Sequence, residues 1–297
     1  MTSVNNRTSL VRITQEVCAR IAEEAPSVVI ASTNKTVQLV YTMIRKAVNE
    51  IADDYPWPEL QKEYTFTLTD GAASYALPPD FDRHINATQW NRAQHWPLIG
   101  PLDPVLWQQY KSGLVTTLPR QRFRIKGWSD TQFFIDPTPD SSIAGQTIAM
   151  EYCSGTVYRP TVWVTSTAFA ALSYCSYNGN IYQTTAGGTT GATPPTWTSG
   201  TSSDGAVSWT YISGAYDLPV LDTDEVILDR WMIIDGATWR FKQARNQDYE
   251  EEKRNAEEQI EIAKTKLSGA EVLTINRSQL GPVGIGPWSY PEGNFNI

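Results

Sequence analysis

The sequence predicts an α+β fold: a helical bundle with a small antiparallel β unit, an inserted all-β module and an extended C-terminal tail. Three observations point there. Apolar residues recur at three- and four-residue steps over 8–55 and again over 223–267. Between 63 and 153 they follow a period of two. Charge then almost vanishes from 154 to 215, where only Arg159 and Asp204 are charged. A chain of 297 residues has room for two domains of ordinary size. The expected division is 1–153 with 216–267 as the core, 154–215 as the inserted module, and 268–297 as the tail.

Each element has its own signal. A first helix is expected over 8–25, with Leu10, Ile13, Val17 and Ile21 on one face and Pro26 ending it. A second is expected over 36–55. Val37, Val40, Tyr41, Ile44, Val48 and Ile51 form its stripe, Thr33 or Asn34 its cap, and Pro56 and Pro58 its stop. EYTFTLT at 63–69 alternates, with Tyr64, Phe66 and Leu68 on one side, and Asp70-Gly71 is a turn. Short strands follow at 74–77, near Gln89 to Asn91, and at 146–153, with a hairpin over 120–136. A short helix opens at Asp103-Pro104 and closes at Gly113.

The longest helical signal runs from 223 to 267, with a bend near 243–246. Asp222 and Thr223 are its expected cap, and its first half pairs with the stripes of the two N-terminal helices. Its second half has a thin stripe of Tyr249, Ala256, Ile260, Ala263 and Leu267. So polar a helix either lies solvated on its own domain or borrows a partner's surface.

The module is read as strands at 162–165, 180–185 and 206–211. Long aliphatics are scarce there, so Tyr174, Tyr177, Tyr182, Trp197, Trp209 and Tyr211 must supply most of any core. Tyr177, Tyr182, Trp197 and Trp209 are also the candidates for a carbohydrate-binding surface, although filling a small core is the plainer reading. The tail has no stripe of either period, yet it carries Trp288, Tyr290, Phe295 and Ile297. A segment with such residues is expected to extend and dock rather than to be simply disordered.

Composition narrows the function. Net charge is −8 with a pI of about 4.9, which argues against a surface that grips nucleic acid by its phosphates. An acidic wall past which DNA slides remains compatible. No apolar run is long enough to span a membrane, and 1–13 lacks the apolar region of a secretory signal. Three widely spaced cysteines, Cys18, Cys153 and Cys175, suit assembly in a reducing cytoplasm.

Catalytic patterns give little. His84 and His95 are the only histidines, and no HExxH, GxSxG or P-loop pattern occurs. The glycine-rich run at 187–191 reads as a turn. Asp53 and Asp54, with Glu50 and Glu59 nearby, could form a carboxylate pair of the glycosidase kind, but a solvated helix end is the plainer reading. No catalytic residue, cofactor or metal is expected.

Four stretches in order carry a family resemblance: SYALPPDF at 74–81, PLIGP at 97–101 leading into Trp107, FFIDPTP at 133–139 and IAMEY at 148–152. With two helices before them and helices after, the chain resembles the head-to-tail adaptor (connector) proteins of short-tailed, podovirus-type bacteriophages. The likeness covers 8–267 apart from the insertion. Separately, 178–211 is similar to small β modules of phage tail and carbohydrate-binding proteins.

The resemblance implies a structural virion protein, not an enzyme. Such subunits form a dodecameric ring under the portal, extend the DNA channel and dock the tail nozzle and fibres. Viral DNA would pass without sequence-specific binding, and no membrane is involved. The protein would be assembled in the host cytoplasm and end in the neck of the virion. By the same resemblance the tail packs on the portal, with Trp288, Tyr290, Phe295 and Ile297 as candidate anchors. The alternatives are a glycan-binding accessory protein of the tail or neck, and, less favoured, a cell-wall hydrolase.

Overall fold

In a computed structural model, the structure describes residues 8–113, 121–127, 131–178, 180–213 and 219–268. The expected helical bundle with one small β unit is not what it contains. It is mixed α/β, 31% helical and 28% strand, with five α-helices and many antiparallel sheets among the described residues. Strand therefore rivals helix in weight. The expectation failed because many strands are two to four residues long, too short for hydrophobic alternation to register.

The helices are α1 (Leu10–Arg20), α2 (Lys35–Asp54), α3 (Pro104–Lys111), α4 (Arg230–Ala244) and α5 (Glu250–Ser268). Asn34 caps α2 by accepting from Thr36 N, and Asp103 caps α3 by accepting from Val105 N and Leu106 N. Helix α1 stops at Arg20, before the proline expected to end it, and Ala22 already has a positive φ of 58°. Helix α4 starts well after Asp222 and Thr223, and its cap is Asp229. Asp222 instead accepts from Val29 N (3.0 Å) and Ile30 N (2.8 Å), tying the linker before α2 to the strand before α4. That strand, Glu225–Val226, lies between Thr8–Ser9 and Tyr158–Arg159, so three distant parts of the chain meet in one sheet.

Helix α4 packs against α1, α2 and α5. Ile233, Ile234, Ala237 and Phe241 meet Leu10, Ile13 and Val17 of α1 and Val40, Ile44 and Val48 of α2 in one buried cluster. Each such aliphatic is worth about 1.5–3 kcal/mol when fully buried. Helix α5 packs Ile260 and Ala263 against this core, buries Ala256, and exposes most of the rest of its surface.

Two facing sheets form a second core. In the larger, Thr147–Ser154 is the hub: it pairs with Gln61–Thr67, setting Tyr64 opposite Met150 and Phe66 opposite Ile148, and also with Phe81–His84 and Trp90–Asn91. The smaller joins Ser74–Ala76, Gln132–Asp136 and Arg122–Lys126. Between them Phe123 and Phe133 stack at 4.9 Å, and Phe66 meets Phe133 edge-on at 5.3 Å. Gly100 sits against this layer with φ of 152°, and an added Cβ would lie 2.5 Å from the Phe123 carbonyl oxygen. Gly100→Ala is therefore expected to cost about 2 kcal/mol or more, read as a lowered urea midpoint.

The module has a four-stranded sheet ordered Tyr174–Tyr177, Asn180–Thr184, Val207–Ser213, Thr201–Asp204. Its own core is Cys175, Tyr182, Val207 and Trp209. Ile181, from the same sheet, belongs to the helical core instead. Of the expected module strands, 162–165 is only an isolated bridge at Val162, while the glycine-rich run places Gly188–Thr189 against Ala168–Phe169.

All three cysteines are free and buried. Burial, then the nearby Asp204 carboxylate, pushes the Cys175 thiol up to about 12. Burial likewise raises the Tyr158 phenol, and burial with Asp80 raises that of Tyr152. These groups stay neutral in the native state after their unfolded counterparts ionise. Their contribution to stability is fully present below about pH 9 and is lost as pH rises toward the native values. The urea midpoint is therefore expected to fall between pH 8 and pH 10.5, and to fall less in Cys175→Ala.

Candidate functional site

The site is built where α5 ends. Asp229 caps α4 by accepting from Trp231 N at 2.8 Å, which fixes Trp231 in the first turn. The Arg230 guanidinium lies 4.4 Å and that of Arg20 5.9 Å from the Trp231 ring. Arg20 is held in turn by Asp235, and Arg230 lies 3.6 Å from Glu16. The indole is thus oriented by two cations yet remains 43% exposed.

Across from it, the last turns of α5 present Ile262 (38% exposed) and Leu267 (43%). With Trp57, Leu228 and Met232 these residues line a groove of about 340 Å³, rimmed by Glu59, Gln259 and Lys266. Three large apolar side chains left in water around one concavity are what an interaction surface requires. The chain runs from this groove directly into 269–297.

The geometry of α5 is held at both ends. Lys242 of α4 pairs with Glu252, and Trp239 stacks on Tyr249 at 6.3 Å just past the bend. At the far end Lys264 lies 2.7 Å from Asp54 and 2.7 Å from Glu261. Hydrogen bonding to Asp54, then to Glu261, raises the Lys264 ammonium above its ordinary range. The pair is largely solvated, so Asp54→Asn is expected to cost under about 1 kcal/mol, read by thermal unfolding.

The acidic group singled out in the sequence is dispersed among such contacts. Asp54 faces Lys264, Glu50 pairs with Arg240, and Asp53 is 3.7 Å from Arg83. Glu59 sits on the groove rim. His84 meets Phe123 edge-on and contacts Asn86, and His95 is exposed. Among the described residues no group of His, Cys, Asp and Glu could hold a metal ion, and no helix is long and apolar enough to cross a membrane.

The four module aromatics do not share a surface. Tyr182 and Trp209 are fully buried, which puts these two rings in the small core, the plainer of the two readings, and not at a surface. The Tyr182 hydroxyl donates to the Trp197 carbonyl at 2.9 Å, and Trp209 meets Phe169 edge-on at 5.0 Å. A module with so few aliphatics spends its rings on its own core. Tyr177 and Trp197 are half-buried, packed on Trp163 and Tyr182 respectively. The candidate anchors Trp288, Tyr290, Phe295 and Ile297 lie outside the described residues.

Sequence reasoning missed the groove because Trp231 and Ile262 lie on different helices and become neighbours only through the packing of α4 against α5. The signal available was Ile262, an apolar residue standing off the thin α5 stripe, where the face that packs Ile260 and Ala263 on the core cannot cover it. No protein-family model matches the sequence, and no curated protein matches it.

Proposed function

We propose that the chain is a structural subunit of a virion neck, a head-to-tail adaptor that joins copies of itself into a ring beneath the portal. In this role it extends the DNA channel and docks the tail. The observation that carries the reading is the groove bounded by Trp231, Ile262 and Leu267, open at the point where the chain passes into its aromatic C-terminal segment. A surface of that kind is completed by a neighbour. The resemblance of 74–81, 97–101, 133–139 and 148–152 to the adaptor family supports the same reading. The net charge of −8 suits a channel past which DNA moves without sticking.

The test is to mix the purified protein with a portal, image the product by electron microscopy, and digest it with a protease. Symmetric rings and protection of 269–297 only in the complex are the expected results. Trp231→Asp combined with Leu267→Asp is expected to abolish ring formation. Both side chains are exposed, so the isolated protein should lose no more than about 1 kcal/mol of stability. Absence of rings together with unchanged cleavage of the tail would overturn the proposal.

A further inference from the structure

A second concavity lies at the opposite kind of surface, in the β unit, and it is lined by amides. Its volume is about 310 Å³. Asn91, Gln121 and Gln146 come from three separate parts of the chain and meet in its wall. Asn91 Nδ2 donates to Gln121 Oε1 at 3.2 Å and to Gln146 Oε1 at 2.7 Å. Asn91 Oδ1 accepts from Ala93 N and Gln94 N, both at 3.1 Å, so the Asn91 amide is fixed and fully used.

That network leaves one buried donor over. Gln121 is 9% exposed, and its Nε2 is buried without a hydrogen-bond partner. A buried N–H of this kind destabilises the free protein and is normally matched by something. The rim adds Asp140, whose Oδ1 accepts from Ser142 N at 2.9 Å and from the Ser142 hydroxyl. The Asp140 carboxyl also takes a backbone hydrogen bond from Ile143, and the residue stays exposed in the cavity lining. Trp96, 38% exposed, contributes an indole to the same lining, beside Pro97, Leu98 and Ile143.

The lining contains one carboxylate and no Lys, Arg or His. Anionic ligands are therefore disfavoured, as nothing would offset their desolvation. The remaining requirements are an acceptor for an amide N–H, a donor for a carboxylate, and an apolar face for an indole. A hydroxyl-rich ring with one C–H face meets all three, and its size suits the cavity.

We infer that this cavity binds a neutral pyranose, with a sugar hydroxyl accepting from Gln121 Nε2, another donating to Asp140, and the ring lying on Trp96. The inference does not depend on the ring-forming reading, because the cavity and the α4–α5 groove share no residue.

The experiment is saturation-transfer difference NMR on the full chain with glucose, galactose and N-acetylglucosamine, with glucuronate as the charged comparison. At least one neutral sugar is expected to bind with a Kd of about 1 mM, the range open to a ligand of a dozen non-hydrogen atoms. Glucuronate is expected to bind at least ~10-fold more weakly, since Asp140 repels it. Trp96→Ala and Asp140→Asn, both at exposed positions, are each expected to weaken binding by ~10-fold. Gln121→Leu should abolish it with little change in the thermal midpoint, because the unmatched Gln121 donor is gone while Asn91 Nδ2 loses its longer contact at 3.2 Å and keeps Gln146 Oε1. No signal from any neutral sugar at ~50 mM would overturn the inference, as would signals that persist in all three variants or glucuronate binding as tightly as glucose. A large fall in the thermal midpoint of Gln121→Leu would count against the unmatched-donor argument, and the two exposed variants would then decide alone.

Discussion

Asp204→Ala is expected to unfold the inserted module while the helical core remains folded. Asp204 is the module's only carboxylate and is 4% exposed. It accepts from Trp163 Nε1 at 2.7 Å, from Trp209 Nε1 at 3.4 Å and from Gly191 N at 2.8 Å. These three donors join the strand Thr201–Asp204, the loop at Gly191 and the segment leading into Tyr174–Tyr177. Removing the acceptor strands two indole N–H groups and a backbone N–H in a four-residue core, a loss of about 3–5 kcal/mol. A core of Cys175, Tyr182, Val207 and Trp209 has little else to absorb it. Cys175 reports the outcome, because its buried thiol is unreactive in the native module. In the variant one thiol should react rapidly with a disulfide reagent while Cys18 and Cys153, buried in other parts of the fold, stay protected. Asp204→Asn should lose about half as much stability, since one amide oxygen can still serve Gly191 N. A Cys175 as slow to react in Asp204→Ala as in the parent protein would show that the module does not hang on this carboxylate.

What was legible in the sequence follows from how local each determinant is. Asn34 and Asp103 cap helices through backbone groups two or three residues away, so the sequence could narrow the first to Thr33 or Asn34 and place the second helix start at Asp103-Pro104. The alternation of Tyr64, Phe66 and Leu68 is a property of one strand, and Tyr64 and Phe66 pack on the cluster that buries Leu68. The start of α4 was misread for the opposite reason. Asp222 resembles a cap, but its carboxylate serves Val29 and Ile30, and Val226 continues an apolar rhythm while lying in a strand. No local pattern distinguishes those uses.

The strand Thr201–Asp204 was invisible because serine and threonine face their partners there: Thr201 meets Thr210 hydroxyl to hydroxyl at 2.8 Å, and Ser203 meets Ser208 at 3.3 Å. The same limit applies to sites. The groove needs Trp57, Trp231 and Ile262 together, and the amide cavity needs Asn91, Gln121 and Gln146. Residues so far apart in sequence become neighbours only through the sheets and helix packing that place them.

Asp80→Ala is expected to give the largest loss in the β unit. The carboxylate is 6% exposed and gathers three donors: Lys62 Nζ at 2.6 Å, the Tyr152 hydroxyl at 2.9 Å and the Ser154 hydroxyl at 2.7 Å. Lys62 lies in one edge strand, and Tyr152 and Ser154 lie in the central one, so the contact fastens the start of Phe81–His84 to both. Truncation leaves a lysine without its partner and a buried phenol without its acceptor, at a cost of about 3–5 kcal/mol in urea unfolding. Asp80→Asn keeps an oxygen for Tyr152 and should cost about 1–2 kcal/mol. A double-mutant cycle of Asp80→Ala with Tyr152→Phe should show a coupling of about 1 kcal/mol, because each variant alone removes the one hydrogen bond the two groups share. The Tyr152 phenol is raised first by burial and then by the negative charge of Asp80. Taking that charge away removes only the second cause. In alkaline ultraviolet titration one tyrosine of Asp80→Asn should therefore ionise at lower pH than in the parent protein, yet still above an exposed tyrosine. Additive single-variant losses, with the tyrosine titration unmoved, would mean that Asp80 and Tyr152 are neighbours without being partners.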